Sequence, residues 1–211
     1  MTRRVPAIFA AVLLLAGCAT VPGTAPSGRP NESAWQARQG RLLKLQDWAM
    51  QGRVGIVNGK DGGSGSMNWE QQGTQLQFDF HGPFGAGALD IRGDGDLLHV
   101  KSSRGDDFIT TDPERDFTRL LRVPLPVLSM RYWVIGVPAP GVPFEKQVDA
   151  SGHLVTLAQR GWQISYLTYA RFDDYDLPTR VLIQRGAVRI KLAIEAWRLG
   201  GESANAQNTM P

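Results

Sequence analysis

Alternation of apolar and polar side chains recurs along most of the chain and limits its fold more than any other feature. Leu76-Gln77-Phe78-Asp79-Phe80 alternates without a break. In the last periodic segment Val188, Ile190, Leu192, Ile194 and Ala196 fall on one side, with Arg189, Lys191 and Glu195 on the other. Successive strand side chains point to opposite faces, so these segments read as antiparallel strands with one buried and one wet face. The same reading predicts strands around Val54 and Ile56, Met67 and Trp69, Ala88 to Ile91, Leu97 to Val100, His153 to Ala158, Trp162 to Leu167 and Thr179 to Arg185. Asn58 to Gly65 reads as a hairpin tip, and Asp94-Gly95 as a turn.

Helical spacing interrupts this pattern in two regions. Asn31 or Ser33 can cap a first helix over residues 31–47, with Trp35, Leu42, Leu43 and Leu45 on one face. Asp112-Pro113 opens a second, in which Phe117, Leu120 and Leu121 share a side, and a short third runs from Val127 to Ile135 before Gly136 and Pro138. The fold class is therefore mostly β (α+β): a curved antiparallel sheet or incomplete barrel with helices on its open side. Alternation does not say whether the inward residues form a packed core or a cavity.

Signals for catalysis are weak. His81, His99 and His153 are scattered, without the paired spacing that holds zinc, and the single cysteine excludes multi-cysteine metal sites and intrachain disulfides. No nucleophile elbow, phosphate loop or dinucleotide fingerprint occurs, and the pairs Asp106-Asp107 and Asp173-Asp174 lie in polar, turn-like stretches. No metal, cofactor or enzymatic activity is expected. The formal charge is only +3, with Arg3 and Arg4 near the start of the chain, so no field suited to nucleic acid is present. The tryptophans Trp69, Trp133, Trp162 and Trp197 all fall in elements, where they either pack a core or line space for a long apolar ligand. In His81-Gly82-Pro83-Phe84-Gly85-Ala86-Gly87 a strand ends, a proline stiffens the turn and an aromatic sits at the apex between glycines. Such a residue either tucks into the core or projects outward, where it gains by entering lipid.

The N-terminus has a charged start, an apolar run from Val5 to Leu15, and Leu15-Ala16-Gly17-Cys18. It is too short for a finished membrane span and reads as an export signal. Leu-Ala-Gly-Cys resembles the lipobox of bacterial lipoproteins, which implies cleavage before Cys18 and acylation of that residue. Ala19, rather than an aspartate, follows the cysteine, which by the same resemblance favours the outer membrane. Each buried methylene contributes about 0.8 kcal/mol, so three acyl chains make spontaneous release negligible. Pro22, Pro26 and Pro30 among Thr, Ser and Gly predict an extended tether. The expected organisation is a signal peptide at 1–17, the acylated cysteine and tether at 18–32, one domain at 33–198 and a disordered tail at 199–211.

Trp35, Gly52-Arg53, Trp69, Gly82-Pro83-Phe84-Gly85, Leu125-Pro126, Trp133-Val134-Ile135-Gly136, Gln159-Arg160-Gly161-Trp162, Leu177-Pro178, Arg189-Ile190-Lys191-Leu192 and Trp197 follow one another in this order. Together they resemble the LolB family of outer-membrane lipoprotein receptors along nearly the whole processed chain. The resemblance implies an unclosed β-barrel with helices as lid and plug around a hydrophobic cavity for acyl chains. By strand face and helix position, its lining candidates are Val54, Ile56, Trp69, Phe78, Phe80, Ile91, Trp133, Ile164, Ile183 and Leu192. It also implies a membrane-insertion loop at Pro83, Phe84 and Gly85; the family's Asn-Pro-Leu-Gly leucine becomes Phe84, which keeps an apolar tip. The implied partners are a LolA-like periplasmic carrier, acylated lipoproteins and outer-membrane lipid, with the protein a monomer anchored in the outer membrane of a Gram-negative bacterium and facing the periplasm. Trp48 has no counterpart in this pattern. Two alternatives are an assembly lipoprotein acting through protein contacts and, more remotely, a lipid-acting hydrolase. Cys18→Ser is expected to abolish incorporation of labelled palmitate in cells; a variant that still takes up label would refute the anchor assignment.

Overall fold

A computed structural model describes residues 30–200 except 86 and 122. Cys18, the leader, most of the tether and the tail beyond Gly200 lie outside the described residues. The chain folds as α1 (Glu32–Leu42), β1 (Asp47–Asn58), β2 (Asp61–Gln72), β3 (Gln75–His81), a 3-10 turn (Pro83–Gly85), β4 (Ala88–Asp94), β5 (Leu97–Ser102) and β6 (Asp107–Thr110). There follow α2 (Pro113–Leu121), α3 (Val127–Trp133), β7 (Phe144–Val148), β8 (Leu154–Gln159), β9 (Trp162–Phe172), β10 (Tyr175–Arg185) and β11 (Val188–Leu199).

Among the described residues, eleven strands form one antiparallel sheet in the order β6-β5-β4-β3-β2-β1-β11-β10-β9-β8-β7. The two ends of the chain's β structure meet in the middle, where β1 pairs with β11. Edges β6 and β7 are left unpaired with each other, so the barrel is unclosed. Residues 111–143 connect those two edges and carry α2 and α3. Phe117 of α2 and Met130 and Trp133 of α3 join the same buried cluster as the strand residues Ile91, Leu98, Ile164 and Ile190. The helical link thus covers the apolar face that two open edges would otherwise leave wet.

Several local details differ from the sequence reading. The first helix ends at Leu42, because Trp48 and Met50 are both needed on the buried face of β1. The hairpin tip is only Gly59-Lys60; Gly62 to Gly65 belong to β2. Glycine is required there by close strand approach, since a Cβ at Gly65 would lie 2.1 Å from the His81 carbonyl oxygen. β6 and β7 are short edge strands with weak alternation; Asp107, read as part of a turn, begins β6. In β11 a bulge at Glu195 shifts the register, so Trp197 rather than Ala196 continues the buried row and Leu199 still pairs with Trp48.

Gly52 sits opposite that bulge, where an added Cβ would lie 2.1 Å from the Ala193 carbonyl oxygen and 2.9 Å from the Ile194 Cα. Backbone cannot yield as a flexible side chain does. Gly52→Ala is expected to cost about 2–3 kcal/mol in stability, read from the midpoint of urea unfolding; an unchanged midpoint would show that the central pairing tolerates the methyl.

Candidate functional site

The loop after β3 presents Phe84 to solvent. Its base is closed by Gly82 N–H donating to the Gly87 carbonyl at 2.8 Å, and Ala88 N–H donates to Ser103 Oγ at 2.9 Å. At the apex Phe84 adopts φ 52° and ψ 30°, in the left-handed region, and is wholly exposed. Of the two readings of this loop, the outward one holds. Other large apolar residues also reach solvent, but Leu97 and Ile109 lie on a sheet face and Phe84 at a tip.

Of the residues expected to line an interior, nine lie on the covered face of the sheet and the tenth, Trp133, on the helix that covers it. Val54, Trp69, Ile91, Trp133, Ile164, Ile183 and Leu192 are buried, while Ile56, Phe78 and Phe80 are half-buried. Register joins some of them in rows: Val54 opposite Leu192, Trp69 opposite Phe78 and Phe78 opposite Ile91, and Ile164 opposite Ile183. Trp133 comes from α3 and meets Trp162 with ring centroids 6.5 Å apart. They are packed against one another and against the helices. Among the described residues, a hollow of about 460 Å³ lies on the outer face beside Arg92, Leu97 and Ile109, and one of about 340 Å³ at the margin of the buried cluster beside Trp48, Gln71 and Arg131.

Polar contacts fasten the helices over this face. The buried Gln159 amide accepts from Trp133 Nε1 at 2.7 Å and Ala139 N–H at 2.8 Å, and donates to the Ala139 and Val142 carbonyls at 2.9 and 3.1 Å. Tyr166 donates to the Trp133 carbonyl at 2.9 Å. On α2, Glu114 takes Arg160 and Arg185 at 3.2 Å each, and the Thr110 hydroxyl holds the Asp116 carboxyl below its ordinary pKa. α1 is held by Arg38, which donates to the Asp176 carbonyl, and by Lys146 with Glu32 at 2.9 Å. Burial pushes the phenols of Tyr166 and Tyr169 up, so both remain neutral donors.

The titratable residues singled out in the sequence are dispersed. His81 closes β3, His99 pairs with Asp107 on the outer face, and His153 bridges Asp149 and Asp176 at 3.2 and 3.3 Å while stacking on Tyr169. Asp106 receives the Ser102 hydroxyl, and Asp173-Asp174 form the β9–β10 turn. Sequence reasoning missed the Gln159 hub, the Glu114 contacts and Trp48, whose ring lies 5.5 Å from those of both Trp69 and Trp197. Strict alternation from Trp48 to Met50 was a usable signal for the last; nothing in the sequence pairs Gln159 with Trp133.

Comparison with known proteins adds independent findings. The family described as "Outer membrane lipoprotein LolB" matches residues 46–197. An outer-membrane lipoprotein LolB of Nitrosococcus oceani is 34% identical over 93% of this chain and 98% of its own length. One from Ectopseudomonas mendocina is 34% identical over 90% and 94% respectively. Among solved structures, a LolA superfamily protein from Nitrosomonas europaea aligns with TM-score 0.52 at 8% identity, over 82% of this chain and 94% of that one. A putative outer membrane lipoprotein-sorting protein domain from Vibrio parahaemolyticus aligns with TM-score 0.52 at 9% identity, over 82% and 93%. At such identities these two show a shared fold.

Gln159→Leu removes four hydrogen bonds and strands the Trp133 indole N–H and the Ala139 N–H and carbonyl in the core, with the part-buried Val142 carbonyl beside them. A loss of about 3 kcal/mol or more is expected in denaturant unfolding. A loss below about 1 kcal/mol would show that α3 is held by packing alone.

Proposed function

Because the chain belongs to the LolB family of outer-membrane lipoproteins, we propose that it is an outer-membrane receptor that takes acylated lipoproteins from a LolA-like periplasmic carrier and inserts them into the outer membrane. It is not an enzyme. Its anchor is the acylated Cys18, and a single copy performs the transfer.

Phe84 carries this reading. A phenyl ring that is wholly exposed, at the tip of a loop and in an unfavourable backbone region, gains nothing from the fold and much from entering lipid. The face carrying Val54, Trp69, Ile91, Ile164, Ile183 and Leu192 supplies the apolar shelter. In the present arrangement it is filled by Phe117, Met130, Trp133 and their neighbours, so acyl chains enter by displacing α2 with its Phe117. The side chains leaving the interior are replaced by hydrocarbon, which keeps the exchange near balance. Transfer runs without nucleotide, from a weaker apolar site to a stronger one and then to the bilayer.

Phe84→Glu is expected to leave uptake of cargo from a loaded carrier unchanged and to reduce delivery into liposomes at least tenfold. Undiminished delivery would overturn the assignment of the loop; loss of uptake would show that the tip serves the carrier instead.

A further inference from the structure

The two ends of the sheet differ in charge. β3 runs up to the Phe84 loop, and antiparallel pairing puts the β1–β2 turn at Gly59-Lys60 and the β10–β11 turn at Gly186-Ala187 at that same end. The β4–β5, β7–β8 and β9–β10 turns lie at the other end, where Asp94, Asp96, Asp149, Asp173 and Asp174 outnumber Arg41, Lys44 and Arg171.

The upper sheet, nearest the loop, is basic. From the register row Arg180-Ala193-Arg53-Ser66-His81 upward, β1, β2, β10, β11 and their turns carry Arg53, Lys60, Arg180, Arg185, Arg189 and Lys191 against one carboxylate, Asp61. Arg185 is taken up by Glu114. The other five cations are exposed and, among the described residues, stand in no ion pair. Val54, Ile190 and Leu192 are buried, so their neighbours Arg53, Arg189 and Lys191 point outward. Apolar side chains lie among these cations. Val57, 43% exposed, sits opposite Arg189, and Leu167, 61% exposed, precedes the Thr168 that pairs with Arg180.

We propose that this outward face binds the headgroups of anionic phospholipid and turns the Phe84 loop onto the bilayer; this rests on the assignment of that loop to the membrane. Cations held close on a rigid sheet repel one another, and a surface of phosphodiesters relieves the repulsion. Arginine offers phosphate oxygens a forked pair of N–H donors. Exposed apolar side chains between cations match a bilayer interface, where the charge stays with the headgroups and the hydrocarbon reaches the acyl boundary. Phe84 continues that face, since its loop starts from the His81 end of the lowest basic row. The same surface repels the acidic end, so approach is oriented before contact.

Vesicle co-sedimentation of the chain from position 18 onward, with Cys18→Ser so that no acyl chain holds it, tests this. Vesicles of phosphatidylcholine are compared with equal parts of phosphatidylcholine and phosphatidylglycerol. The anionic vesicles are expected to bind at least tenfold more tightly, and the preference to shrink as ionic strength rises from about 0.01 to 0.15 M. Arg189→Gln with Lys191→Gln is expected to weaken anionic binding about tenfold and leave neutral binding and Tm unchanged. Arg41→Gln with Lys44→Gln, an equal charge loss at the far end, is expected to change neither. Equal affinity for the two vesicles, or equal losses in both double variants, would overturn the proposal. So would unchanged vesicle binding in the Arg189 and Lys191 variant accompanied by lost uptake from a loaded carrier, which would give the face to a protein. In each of these cases a drop in binding to both vesicles on Phe84→Ser leaves the loop assignment standing; no drop on either would end that assignment as well.

Discussion

A sheet of this width with two free edges has one overriding requirement, that its apolar face be covered by something other than water. Closure into a full barrel would meet it by pairing β6 with β7. Here the connection between those edges carries α2 and α3, and Phe117, Met130 and Trp133 supply the cover. Everything that depends on opening therefore depends on a segment tied at both ends to sheet edges.

The fastening of that segment is uneven. α3 is locked at its end by the buried Gln159 network, where each polar group is satisfied at 3.1 Å or less. α2 is held by the buried Phe117, by Asp116 with the Thr110 hydroxyl, and by Glu114 between two half-exposed arginines, ion pairs of modest strength that water competes with. The contrast makes α2 the easier of the two to displace. Space for hydrocarbon would then open beside a fixed α3 rather than by loosening the whole cover.

Much of the architecture was legible in the sequence because a period of two is a local signal: Leu76 to Phe80 and Val188 to Ile194 declare their faces without knowing their neighbours. The outward Phe84 loop was half legible, since Gly and Pro mark the turn but not the direction of the ring. Illegible were the features that exist only through long-range pairing. The bulge at Glu195 depends on β1 lying alongside, and it reverses the parity that would have put Ala196 inward. β6 and β7 are too short to alternate. Gln71 reads as one polar residue among many until the turn carbonyls of Gly73 and Gln75 capture its amide. Trp48 acquires meaning only when Trp69 and Trp197 converge on it.

The backbone at Phe84 carries a last implication. An L-residue with a Cβ in the left-handed region is disfavoured by about 1–2 kcal/mol, and this one also holds a phenyl ring in water. Glycine at that position would relax the turn and make the isolated domain sturdier. Within the folded domain the ring makes no buried contact that would offset this cost. Engineering for thermal endurance, guided only by the domain in solution, would erase that residue among the first.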